Sequence, residues 1–240
     1  MTSSALKWIA LITMIVDHVA VCAQNSGWGP IAHSTTLYLW MRGIGRIAFP
    51  IYCFLLANGM RYTHNRTRYF LRLLGCAALS QLPFTAALYA NEWQYTGILT
   101  VFRHWNVLVT LALGCLLCGV WEDARTKPFK DYAVRAALCG LALVALGLGL
   151  WDIDYGFMGV LLILLLFAAQ ERKTQALLLL LWGLVEYLPL MQPPFMLVLL
   201  AAGAVWCYNG KQGRPMKWFF YLSYPVHLAI LAAAVWLPLL

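Results

Sequence analysis

Apolar runs dominate this chain, and the polar positions that interrupt them fall at nearly regular intervals. Bounded by charge, Gly or Pro, the runs predict nine helices, over 6–22, 44–62, 69–90, 105–121, 132–150, 155–169, 174–190, 194–208 and 217–238. The segments at 155–169 and 194–208 are short for a full bilayer crossing, so eight crossings is the alternative count. The first run has a short polar start and one lysine, and no small-x-small cleavage pattern follows it. It is expected to be a retained helix rather than a signal peptide.

The charges alternate with the segments. Lys7; Arg61, Arg66, Arg68 and Arg72; Arg125, Lys127, Lys130 and Arg135; Arg172 and Lys173; and Lys211, Arg214 and Lys217 are 14 of the 17 basic residues. They follow every second helix and so share one side of the predicted bundle. Arg42, Arg46 and Arg103 fall on the other. Positively charged connections stay in the cytoplasm, which puts the N-terminus inside and "AAAVWLPLL", at the C-terminal end, outside.

Composition agrees. Hydrophobic residues make up 62% of the 240 and charged residues 11%, with a mean hydropathy of +0.73, whereas soluble domains carry about a quarter charged residues. The expected fold is all-α, a polytopic transmembrane helical bundle with about nine spans, a single domain over 1–240 set in the lipid bilayer, with no nucleic-acid partner. The net charge of +8 belongs mainly to the cytoplasmic face. Topogenesis and contact with anionic headgroups account for it. The sharper alternative is that Arg61, Arg66, Arg68 and Arg72 also bind a phosphorylated cytosolic compound, since guanidinium forks match phosphate oxygens.

Ionisable groups inside the spans are the informative positions, because each is costly in hydrocarbon unless paired or wetted. In "ITMIVDHVAV", Asp17 and His18 interrupt the first helix, and His18 lies about 16 Å beyond Lys7 along a helix. Arg46 opens the second segment, Asn106 the fourth, Asp154 and Tyr155 the sixth. Glu186 lies near the outer end of the seventh, and His227 is halfway along the last. Apart from His227 these fall in the outer third of the membrane and would line a common cavity. The competing readings are interfacial helix ends for Asp152, Asp154 and Asn106, and a buried Glu186–Arg46 ion pair. Neighbours on a helix project about 100° apart, so Asp17 is expected to pair with an arginine of another helix, such as Arg46, while His18 faces the cavity as a general base.

The seven cysteines are scattered through apolar segments. Cys115 and Cys118 have C-x-x-C spacing without further ligands nearby, so buried free thiols and no metal are expected. The "NRT" at 65–67 falls in a predicted cytoplasmic loop, where a glycosylation sequon is inert.

The blocks "LKWIALITMIVDHVA", "GRIAFPIYCFLLANGMRYTHNRTRYFLRLL", "SQLPF", "NVLVTLALG", "DYGFMGVLLI" and "KWFFYLSYPVHLAIL" resemble the successive blocks of the TraX family of membrane proteins, from about residue 6 to 232. That family in turn resembles the multi-span acyltransferases that use a histidine in an early helix. The resemblance implies a bacterial inner-membrane acetyltransferase that moves acetyl from cytosolic acetyl-CoA to the N-terminal amine of a pilin-like or other small acceptor. His18 would act as base with Asp17 orienting the site, and Arg61, Arg66, Arg68 and Arg72 would receive the phosphates. Arg46, Asn106, Tyr155, Tyr224 and His227 would assist substrate or oxyanion. The rival readings are a transporter using His18, Asp17 and Glu186 as a relay, and a noncatalytic assembly factor for pilin. No internal repeat of the transporter kind is present.

Overall fold

The computed structural model describes residues 1–149 and 152–237. In chain order the helices are α1 Ser3–Ser26, α2 Gly29–Ala32, α3 Thr35–Gly45, α4 Ala48–Tyr62, α5 Arg66–Leu88, α6 Ala90–Thr96, α7 Thr100–Arg103, α8 Val107–Thr126, α9 Ala133–Gly147, α10 Gly156–Ala168, α11 Arg172–Tyr187, α12 Leu199–Trp206 and α13 Lys217–Trp236. Among the described residues the only strand pairing is a two-residue parallel bridge, with β1 His104–Trp105 set against β2 Asp152–Ile153. The protein is an all-α helical membrane protein. Among the described residues five stretches are long and apolar enough to cross a bilayer: Ser3–Ser26, Thr35–Tyr62, Arg66–Leu88, Val107–Thr126 and Lys217–Trp236. The shorter apolar helices Ala133–Gly147, Gly156–Ala168 and Pro193–Trp206 lie beside them. The tips of the predicted segments 132–150 and 217–238, and the last residues of "AAAVWLPLL", lie outside the described residues.

Local chemistry sets the helix ends. Thr2, Ser34, Asn65 and Asn106 each accept a hydrogen bond on the side chain from a backbone N–H of the first turn, the role these residue types fill at N-caps. Gly27, at φ +72°, ends α1 in the left-handed conformation, and its N–H returns to Ala23 O. Alternation between two faces is maintained by contacts at both ends of the bundle. On the N-terminal face, Ser3 and Ser4 N–H groups donate to Lys211 O and Gln212 O, and Arg66 faces Glu122. On the opposite face, Asn25 donates to Leu88 O and Trp236 Nε1 to Ala86 O.

The second helix departs from the expected 44–62. Ser34 starts it nine residues earlier, and it runs to Tyr62 with a break at Arg46–Ile47 between α3 and α4. Pro50, within the first turn of α4, has no N–H to return to the previous turn, which favours the break at that point. Arg42 therefore lies in a membrane helix rather than in an external connection, and Arg46, expected to open the second segment, lies at the break within it. The segment expected at 194–208 is likewise split: a 3₁₀ turn, Pro193–Val198, precedes α12.

The main core joins α1, α4, α5, α8, α10, α11, α12 and α13 through Leu6, Ile51, Phe54, Phe84, Cys115, Leu162, Leu166, Leu179, Ala201 and Leu228, all almost fully buried. Aliphatic side chains of the outer helix faces, among them Leu79, Val134, Leu141 and Ile230, remain exposed, as lipid contact requires. All seven cysteines are free thiols. Five are buried, Cys76 is half-buried, and Cys207 is exposed, which corrects the expectation that all are buried. Among the described residues no cluster could hold a metal ion.

Candidate functional site

The α1 helix sends Asp17 and His18 to different neighbours. Asp17 forms an ion pair with Arg42 of α3, and Arg46 Nη2 lies 3.7 Å from its Oδ1. Arginines at i and i+4 share one face of a helix, so a single carboxylate meets both. The close approach depends on Gly45, because a Cβ there would coincide with the Asp17 side chain. Arg46 Nη1 also donates to Tyr155 Oη at 3.2 Å, and the Tyr155 ring stacks on Phe49 at 3.7 Å. Tyr155 holds φ +63°, a strained conformation for a large side chain. Thr110 Oγ1 donates to Asp154 O and ties this turn to α8.

His18 is buried, and its Nδ1 lies 2.7 Å from Nε2 of His227 on α13. The two rings are nearly parallel, 9° apart. His227 Nδ1 donates to Ser223 O at 2.7 Å. Tyr224 stands edge-on to both rings, at 6.2 Å from His18 and 5.4 Å from His227. Its hydroxyl is buried and has no hydrogen-bond partner among the described residues.

Two cavities approach this pair. One, of about 400 Å³, opens toward the face opposite the N-terminus and is lined by Asp17, His18, Arg42, Arg46, Asp154 and Tyr155, with Asn25, Tyr38, Tyr89 and Glu92 at its mouth. The other, of about 590 Å³, opens on the N-terminal face. Its charged lining residues are Lys7, Arg72, Arg214 and Lys217, with no acid among them, and it ends at Tyr52 and Tyr224. Tyr52 lines both cavities. His18 and Tyr224 thus form the two sides of the partition between them.

The outer rim is held by a histidine that sequence reading missed. His104 Nε2 lies 2.6 Å from Glu92 Oε2, its Nδ1 bonds Asp152, and its ring stacks on Tyr89 at 3.9 Å. The His104 hydrogen bond holds the Glu92 carboxyl below the usual carboxylate range. On the neighbouring turn, Asp154 lines the same cavity wall as Arg46.

Of the residues singled out from sequence, the structure brings together Asp17, His18, Arg46, Tyr155, Tyr224 and His227. Asn106 stays outside the cavity. Its Nδ2 donates to Ala77 O and Gln81 Oε1, and its Oδ1 caps Leu108 N–H, so its hydrogen-bonding capacity is committed to the fold. Glu186 forms no ion pair with Arg46 in the described residues, and Asp17 takes that place. Of the four loop arginines only Arg72 lines the N-terminal-face cavity. Arg61 donates to the carbonyls of Leu166, Phe167 and Ala169 at the end of α10, Arg66 faces Glu122, and Arg68 lines neither cavity. Arg42 lies outside the second helix predicted from sequence, which starts at 44, and so is not singled out there. Its i, i+4 spacing to Arg46 was the available signal.

The family model described as TraX protein matches residues 2–235. The chain is 30% identical to a Dichelobacter nodosus protein named "Probable fimbrial assembly protein FimC, serogroup H1", over 95% of this chain and 93% of that one. It is 27% identical to an uncharacterized protein of Rickettsia prowazekii (strain Madrid E), over 70% of this chain and 56% of that one, so it matches little more than half of the latter's length. No solved structure matches.

Proposed function

The chain belongs to the TraX family, and from that premise we propose that it is an inner-membrane acetyltransferase acting on an amine. The observation that carries this reading is the approach of two cavities to one partition, with His18 on one side, Tyr224 on the other and Tyr52 lining both; one cavity is basic and open to the N-terminal face, the other opens to the opposite face. The abundance of basic residues on the N-terminal face supports reading that face as the cytoplasmic one.

Acetyl-CoA is the donor, and its fit is supported by the mouth of the basic cavity. Arg72, Lys7, Arg214 and Lys217 take the phosphates, in place of the four-arginine set expected from sequence. The tyrosine-lined interior suits a long neutral arm, and the unpartnered Tyr224 hydroxyl at the far end is a donor available to the thioester oxygen as negative charge grows there, a contribution often worth about 3 kcal/mol. The acceptor, the N-terminal amine of a pilin-like segment or another small amine, enters the opposite cavity. As its nitrogen attacks the acetyl carbon, the N–C bond forms, the C–S bond breaks, His18 takes the amine proton, and that proton leaves with the thiolate as the free thiol. Asp17 holds Arg42 and Arg46 at the cavity wall, and Tyr155 is held by Arg46.

The printed name of the Dichelobacter relative favours a second reading, a noncatalytic assembly factor for fimbrial subunits. Mass spectrometry of membrane peptides from host cells with and without the protein separates the two. The acetyltransferase reading expects one acetyl group gained on a single amine when the protein is present; identical peptide masses in both samples contradict it.

A further inference from the structure

We propose that His227 is a positioning residue that fixes the tautomer of His18, so that His18 Nε2, and not Nδ1, is the proton-accepting atom. The inference rests on the reading of His18 as a general base, but its first test does not depend on activity.

The chain of contacts has a direction because its end is unambiguous. Ser223 O is a carbonyl oxygen and can only accept, so the 2.7 Å contact from His227 Nδ1 places a hydrogen on that nitrogen. Helical i, i+4 spacing sets the His227 ring over this carbonyl, whose second lone pair remains available beside the backbone hydrogen bond. A neutral imidazole carries one hydrogen, so Nε2 of His227 is a bare acceptor. It faces His18 Nδ1 at 2.7 Å. Two bare nitrogens at that distance would repel, so the hydrogen between them belongs to His18 Nδ1. The remaining nitrogen, His18 Nε2, keeps its lone pair. It has no hydrogen-bond partner among the described residues, and the ring that carries it lines the outer cavity.

This arrangement does for His18 what a carboxylate does for the histidine of a serine-hydrolase triad: it selects a tautomer and an orientation. It differs in bringing no negative charge. Asp17, the acid next in sequence, is turned to Arg42 and Arg46. Any positive charge gained at His18 during transfer is instead met by the His227 lone pair, and behind it by the Ser223 carbonyl dipole. The Tyr224 ring, edge-on to both imidazoles, limits their rotation. A helper that donates to an oxyanion, the role first expected for His227, would need a free N–H toward the substrate. His227 spends its N–H on Ser223.

The test is nitrogen NMR of the full chain labelled with 15N-histidine in nanodiscs, with His18 assigned by its disappearance in His18→Gln. The expected result in the unsubstituted protein is Nδ1 protonated and Nε2 bare for both rings. In His227→Leu the His18 signals should move to the averaged values of a mixed population. In His227→Gln, whose amide can accept from His18 and donate to Ser223 O, they should stay near those of the unsubstituted protein. Turnover should follow, falling about 100-fold in His227→Leu, with the donor KM unchanged, and largely recovering in His227→Gln. A His18 ring protonated on Nε2 in the unsubstituted protein overturns the proposal, as does a His18 signature that His227→Leu leaves in place. The expected tautomers with no acetyl transfer to any amine would uphold the positioning role and defeat the acetyltransferase reading.

Discussion

Asp17 packs directly against the α carbon of Gly45, in space that any side chain at position 45 would need. The ion pairs of Asp17 with Arg42 and Arg46 therefore depend on a residue that carries no chemistry of its own. Gly45→Ala should separate α1 from α3, cost about 2 kcal/mol or more by overpacking, and lower the thermal unfolding temperature in detergent. An unchanged unfolding temperature would mean that the helices have room to spare there.

Removing the acid should be worse than removing either base. Asp17→Ala leaves two guanidinium groups at a largely buried site with no counter-charge, a situation that typically costs about 3–5 kcal/mol. Arg46→Gln leaves Asp17 still paired with Arg42. Chemical denaturation of the two variants in the same detergent should rank them Asp17→Ala below Arg46→Gln. The reverse order would show that the charge at position 46 matters more than its partner.

How much of this was legible in the sequence depended on whether a signal was local. The helix periodicity and the alternation of basic connections are local, and they led to the helical membrane fold. Asp17 and His18 stood out because an acid and an imidazole in an apolar run have no bland explanation at the level of composition. Arg42 did not stand out, since the second helix predicted from sequence starts at 44 and leaves Arg42 in the connection before it, where the structure has a helix running from Thr35. Asn106 was visible as a polar residue at depth, but its role as a cap bonded to Gln81 depends on a partner 25 residues away. Lys7 and Lys217 line one cavity from opposite ends of the chain, a proximity that only packing creates. His104 lay on a segment with no recognisable periodicity, between carboxylates contributed by two other segments.

The basic cavity makes a claim about binding rather than chemistry. Arg72→Gln should raise the KM for acetyl-CoA about tenfold, the scale of one charge-assisted phosphate contact, and leave kcat nearly unchanged. Lys217→Gln, at the exposed mouth, should do so more weakly. Arg125→Gln, away from the cavity lining, should do neither. Steady-state kinetics in nanodiscs checks all three, and a fall in kcat without a change in KM would move these side chains out of the donor site.

Radiolabelled acetyl-CoA and a peptide amine, supplied on opposite sides of proteoliposomes holding the purified chain, test the central claim most directly. Transfer of label to the amine is expected only when acetyl-CoA is on the basic face, and it should be lost in His18→Ala that folds normally by size-exclusion chromatography. Transfer that persists in His18→Ala, or that proceeds equally from either face, would contradict the account.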